Sequence, residues 1–127
     1  MAKYSLQGGE LVVLGDDGSS LWRGRPMNQA VGRIEVVPAS DDAIVLLKRP
    51  STSGDFSNIV RVGPDGAIRW IAELPDYPGK GTSASTQDSY VALDTVTKSA
   101  IQAHSWSGVQ VWLDTSTGKI ANAMFVK

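Results

Sequence analysis

The hydrophobic positions of this chain fall in short runs rich in Val, Ile and Leu, bounded by Gly, Pro, Asp and Ser. Such runs predict strands, and no window keeps the i, i+3, i+4 spacing of an amphipathic helix over three turns. Strands are expected at residues 11–14, 20–23, 31–37, 43–47, 59–62, 67–72, 90–93, 100–105, 109–113 and 120–126. Asp17-Gly18, Asp65-Gly66 and Thr117-Gly118 each stand between two of these runs. Such dipeptides favour tight hairpins, because Gly takes a positive φ at little cost and Asp tolerates it and caps the turn. The pattern predicts an all-β protein, an antiparallel meander of about ten strands.

The three hairpins read as copies of one unit. Gly18, Gly66 and Gly118 lie 48 and 52 residues apart, and Trp22 and Trp70 each follow their glycine by four residues. Asn122 holds that place in the third copy. A second likeness pairs the segment from Ser40 to Leu47 with the segment from Thr86 to Leu93, at an offset of 46 residues. A four-stranded unit of about 50 residues is the size of one propeller blade. The chain then divides into a half-unit at 1–29 and units at 30–80 and 81–127. A ring usually takes at least four blades, so closure is expected either by association between chains or by curling into a barrel or sandwich. The commonest association is an isologous dimer.

Gly18 with Trp22, and Gly66 with Trp70, give the repeat a resemblance to the quinoprotein or tryptophan-docking β-propeller family. The resemblance covers most of the chain and implies fold more than activity. Quinone-dependent dehydrogenases of that family carry eight blades, a calcium site and often a vicinal cysteine pair. This chain has neither the length nor the cysteines, so that chemistry does not transfer, and no cofactor is expected. Outer-membrane assembly lipoproteins share the repeat, but no cysteine is present here to be lipidated.

Composition narrows the function. Apolar residues are 42% and charged residues 20%, unlike a disordered chain. A formal net charge of −1 argues against nucleic acid or an anionic membrane as partner. The absence of cysteine excludes disulfides, iron–sulfur clusters, cysteine zinc sites and a cysteine nucleophile. No signal-peptide pattern stands at the N-terminus, and the apolar runs fall far short of the ~20 residues of a membrane span. A cytoplasmic location is expected.

No motif announces catalysis. His104 is the single histidine, and its neighbours give no metal-ligand spacing. The segment from Pro78 to Ser83 lacks the first glycine of a phosphate loop, since Leu74 stands there. Residues 74–86 read as a flexible connection between units. Trp22 and Trp70 are expected to fill the space between sheets. Trp106, in a polar loop context with His104, is the foremost candidate contact residue, followed by Trp112. Arg23 and Arg25 form a compact basic element suited to carboxylates or aromatic faces, and Lys48-Arg49-Pro50 is its counterpart in the next unit. The function expected is a non-enzymatic module that binds a protein partner or a second copy of itself. The alternative is a lectin-like binder of a small carbohydrate ligand.

Overall fold

The computed structural model describes residues 1–50, 54–76 and 88–126. Eleven strands among them build three antiparallel sheets. The first holds β1 (Lys3–Gln7), β2 (Glu10–Leu14) and β3 (Ser20–Gly24). The second holds β4 (Val31–Val36), β5 (Ala43–Leu47), β6 (Ile59–Val62) and β7 (Ile68–Ile71). The third holds β8 (Tyr90–Val96), β9 (Ala100–Ser105), β10 (Val109–Asp114) and β11 (Ile120–Phe125). Every sheet is a meander in chain order, so the all-β expectation holds. No strand pairs between sheets, which removes the barrel alternative for the described residues.

The sheets are held together by two apolar layers. Leu11 and Val13 of the first sheet pack against Val31, Ala43, Val45, Leu47, Val60 and Val62 of the second. The opposite face of the second sheet, with Ile44 and Ile59, packs against Leu93, Ile101, Val109, Val111 and Leu113 of the third. The middle sheet is therefore covered on both sides, which is why β5 is apolar at every position rather than alternating. Each fully buried Val, Leu or Ile contributes about 1.5–3 kcal/mol.

Register shows which strands correspond. Val13 opposes Trp22, Arg61 opposes Trp70, and Trp112 opposes Asn122, and in each sheet a bulge follows at once. Thus β2, β6 and β10 are equivalent, as are β3, β7 and β11. The likeness between the segments starting at Ser40 and Thr86 is a false phase. The first leads into β5, second in its sheet, and the second leads into β8, first in its sheet. Both segments read as an Asp followed by a run of mostly apolar residues, and that composition carries no position within a blade. A further strand, β1, was not among those expected. Its Tyr4 and Leu6 alternate with Lys3, Ser5 and Gln7, a pattern of only two apolar positions.

The tryptophans join one sheet to the next, as expected of Trp22 and Trp70. A Cβ on Gly66 would sit 2.2 Å from the Trp22 indole, and one on Gly118 would sit 2.3 Å from the Trp70 indole. Each ring thus lies flush on a glycine of the following sheet's turn. Trp70 also donates its Nε1–H to the Thr115 carbonyl at 3.0 Å. Arg61 donates to the same carbonyl at 2.8 Å and pairs with Asp42 at 2.8 Å.

Candidate interaction site

Between the second and third sheets lies a cleft of about 420 Å³. Leu46 and Val91 give it apolar walls, Lys48 and Arg49 stand on one side, and Trp106 stands on the other. Trp106 lies on the turn between β9 and β10 and is 59% exposed, an unusual state for so large an apolar surface. Among the described residues no carboxylate lines the cleft. Lys48 follows directly on β5 and its side chain is exposed, whereas the Arg49 guanidinium donates to the Gly54 carbonyl.

The turn carrying Trp106 is pinned from below. Asp88 is fully buried, and its carboxylate accepts from the Ser89 N–H at 3.0 Å, the Ser107 N–H at 3.1 Å and the Ser107 hydroxyl at 3.0 Å. The Ser105 and Ser107 hydroxyls lie 2.7 Å apart, and Ser105 Oγ accepts from the Val109 N–H at 3.1 Å. The Trp106 N–H itself donates to the Ser89 carbonyl at 2.7 Å. A buried carboxylate is tolerated when hydrogen bonds replace its water, and here they do. The residues on both sides of Trp106 are buried, so the indole projects from a fixed base. Sequence reasoning missed Asp88, Ser105 and Ser107. An Asp ahead of a strand and two serines beside a Trp resemble any solvated turn until the fold brings them together.

The other candidate residues do not gather at this cleft. Arg23 pairs with Glu10 at 2.8 Å on the outer face of the first sheet. Arg25 donates to the Gly8 carbonyl at 3.3 Å and lies against Gly9. These two arginines secure their own sheet rather than forming a shared basic patch. His104 Nδ1 lies 2.5 Å from Asp94 Oδ2. His104 and Trp112 do share a face, the outer face of the third sheet, since His104 opposes Gln110 and Trp112 opposes Gln102. Met124 and Asn122 continue that face onto β11. Of the expected connection at 74–86, residues 77–86, with the segment from Pro78 to Ser83, lie outside the described residues.

Two tyrosines mark the depth of the apolar layers. Burial, with the charges of Asp88 and Glu73 behind it, raises the Tyr90 hydroxyl well above its usual range, and its O–H donates to the Glu73 carbonyl at 2.5 Å. Burial likewise raises Tyr4, whose O–H donates to the Asp41 carbonyl at 2.6 Å. Among the described residues no group of three His, Asp or Glu side chains converges as metal ligands do.

Comparison with known proteins defines the class. The likeness of fold is to a propeller: over 98% of its length the chain superposes on BamB from Moraxella catarrhalis with a TM-score of 0.54 at 14% identity. It superposes equally far on the computationally designed Ika8 protein, with a TM-score of 0.56 at 12% identity. The chain spans about a third of those proteins, 35% and 36% of their lengths. No curated protein matches the sequence significantly. The chain belongs to the family described as Domain of unknown function (DUF7957), whose model matches residues 29–125. That match begins just ahead of β4 and takes in the second and third sheets, together with the cleft between them.

Proposed function

We propose that this chain is a non-enzymatic β-repeat module that binds a protein partner. The observation that carries the reading is Trp106, a largely exposed indole on a turn fixed by the buried Asp88 network and placed at the mouth of a cleft. Tryptophan is prominent among residues that dominate interface energy, and a side chain held in place before binding loses little entropy on contact. Affinity capture from the native cell extract with the wild-type chain, Trp106→Ala and Trp112→Ala tests it. A protein retained by the wild type and by Trp112→Ala but lost with Trp106→Ala is expected. Identical capture by all three variants removes Trp106 from the reading.

A second reading, self-association as a dimer, is favoured by β11. This edge strand reads Ile-Ala-Asn-Ala-Met-Phe and carries no charge, whereas β7 and β3 carry Arg69 and Arg23. Met124, Phe125 and Val126 are each about half exposed. Among the described residues Glu73 meets its start, where its carboxylate accepts from the Ile120 N–H at 3.0 Å. An edge without a charge or proline is a template for pairing, and two antiparallel β11 strands make a closed isologous contact. Light scattering after size exclusion is expected to show a dimer for the wild type and a monomer for Met124→Lys. A wild-type monomer at millimolar concentration overturns this second reading.

A further inference from the structure

We infer that the cleft beside Trp106 accepts an acidic, extended segment of a protein partner, with a carboxylate on Lys48 and an apolar side chain against the indole. The inference rests on the protein-binding reading above and names the chemistry of the segment bound. Charge complementarity carries it. Among the described residues the lining holds two cations, Lys48 and Arg49, and no Asp or Glu, in a chain whose formal net charge is −1. The imbalance is therefore local and not a property of the whole surface. Four arginines of the described residues are matched where they stand: Arg23 with Glu10, Arg33 with Glu35, Arg61 and Arg69 with Asp42. Lys48 is not matched in this way, and unlike Lys3, Lys98 and Lys119 it lines the cleft. Its backbone N–H is used on the Ala30 carbonyl at 2.7 Å, while its ammonium group has no carboxylate within ion-pair distance among the described residues.

The remaining walls set what accompanies the charge. Val91 and Trp106 both stand more than half exposed on the third-sheet side, and Leu46 faces them from the second sheet. The cleft floor is closed by Asn58, which is buried and fully engaged. Its Nδ2 donates to the carbonyls of Leu47 and Tyr90, both at 2.8 Å, and its Oδ1 accepts from the Tyr90 N–H at 2.7 Å. With its floor tied across both sheets, the cleft keeps its width, and a bound segment meets a preformed site rather than ordering one. An ammonium and an indole lining one cleft with apolar walls fit a chain that alternates acidic and apolar residues. A free small anion would use the Lys48 ammonium alone and leave the indole and Val91 without contact.

Fluorescence anisotropy with a labelled decapeptide of alternating Glu and Phe tests this, using the full chain. Its companions are the same peptide with Lys for Glu, and free glutarate and inorganic phosphate as competitors. The Glu–Phe peptide is expected to bind, at least tenfold more weakly to Lys48→Glu and to Trp106→Ala. Binding should weaken as salt rises, and neither glutarate nor phosphate at equal concentration should displace the peptide. Equal binding of the Lys–Phe peptide, or unchanged affinity in Lys48→Glu, overturns the inference. Displacement by glutarate or phosphate overturns it in favour of a small-anion site. Lys48 is exposed, so Lys48→Glu is expected to keep the wild-type unfolding midpoint, and Lys48→Met serves as the neutral control. A partner captured through Trp106 that engages by a basic segment overturns the acidic assignment but leaves the protein-binding reading standing. Loss of all Trp106-dependent capture removes that reading itself.

Discussion

The turns at Gly18 and Gly66 are built alike and stand in opposite surroundings. In each, the glycine N–H donates to a carbonyl three residues back at 2.9 Å, and an Asp carboxylate accepts from the N–H two residues on. Their φ angles are +81° and +78°. Yet a Cβ on Gly66 would strike the Trp22 indole, whereas a Cβ on Gly18 would meet nothing within 4 Å. One glycine serves the backbone alone, and the other serves the backbone and leaves room for a ring from the preceding sheet. The faces behind them differ to match. The second sheet turns Val31, Val45 and Val60 toward its predecessor, whereas the outer face of the first sheet holds Lys3, Ser5, Gln7 and the Arg23–Glu10 pair around buried Val12. At the other end, the third sheet presents Gln102, His104, Gln110 and Asn122 where the first two sheets are apolar. The two joints and the two ends thus follow one repeat with different side chains.

Removing a ring from a joint has the largest expected effect. Trp70→Ala should destabilise by about 3–5 kcal/mol in urea unfolding, since it opens a cavity and leaves the Thr115 carbonyl one donor short. Trp112→Ala, on the outer face, should cost less than about 1 kcal/mol. Equal losses from the two would erase the distinction between joint and end.

Next comes the pair of glycines. Gly66→Ala should cost about 2–4 kcal/mol, the sum of overpacking against Trp22 and a strained positive φ. Gly18→Ala should cost about 1 kcal/mol, because only the backbone strain remains. Thermal or urea midpoints of the two variants measure the difference, and in a Trp22→Ala background the gap between them should narrow.

Alkaline pH compares the two apolar layers. The Tyr90 hydroxyl is raised by burial, so the folded state keeps its proton above the usual tyrosine pKa of about 10. Its contribution is fully present below about pH 10 and declines as pH rises further, by at most roughly 1.4 kcal/mol per unit. Tyr90→Phe should flatten the stability curve above pH 10, and Tyr4→Phe should flatten it less, because Tyr4 lies nearer solvent. The smallest effect is expected from Asn122→Trp. It puts the repeat residue on the outer face of the third sheet, where no turn of the described residues lies against it, and stability of this chain should stay within about 0.5 kcal/mol of wild type.

Strand periodicity and the Asp-Gly and Thr-Gly turns were legible because they depend on neighbours along the chain: alternation sets a face, and glycine alone takes these φ angles freely. The same local information placed Trp22 and Trp70 at equivalent positions and singled out Trp106, which stands largely exposed. It also misled, equating β5 with β8, since a short apolar strand carries no label for its place in a sheet. Which glycine receives a ring was decided by tertiary structure, because that depends on a sheet about 50 residues away. So was the placing of Lys48 and Trp106 around one cleft, and the burial of Asp88 beneath the Trp106 turn. Lys48 and Trp106 belong to different sheets, and only the packing of apolar faces, a force without direction along the chain, brings them to one cleft; Asp88 reaches the Trp106 turn through the pairing of β8 with β9.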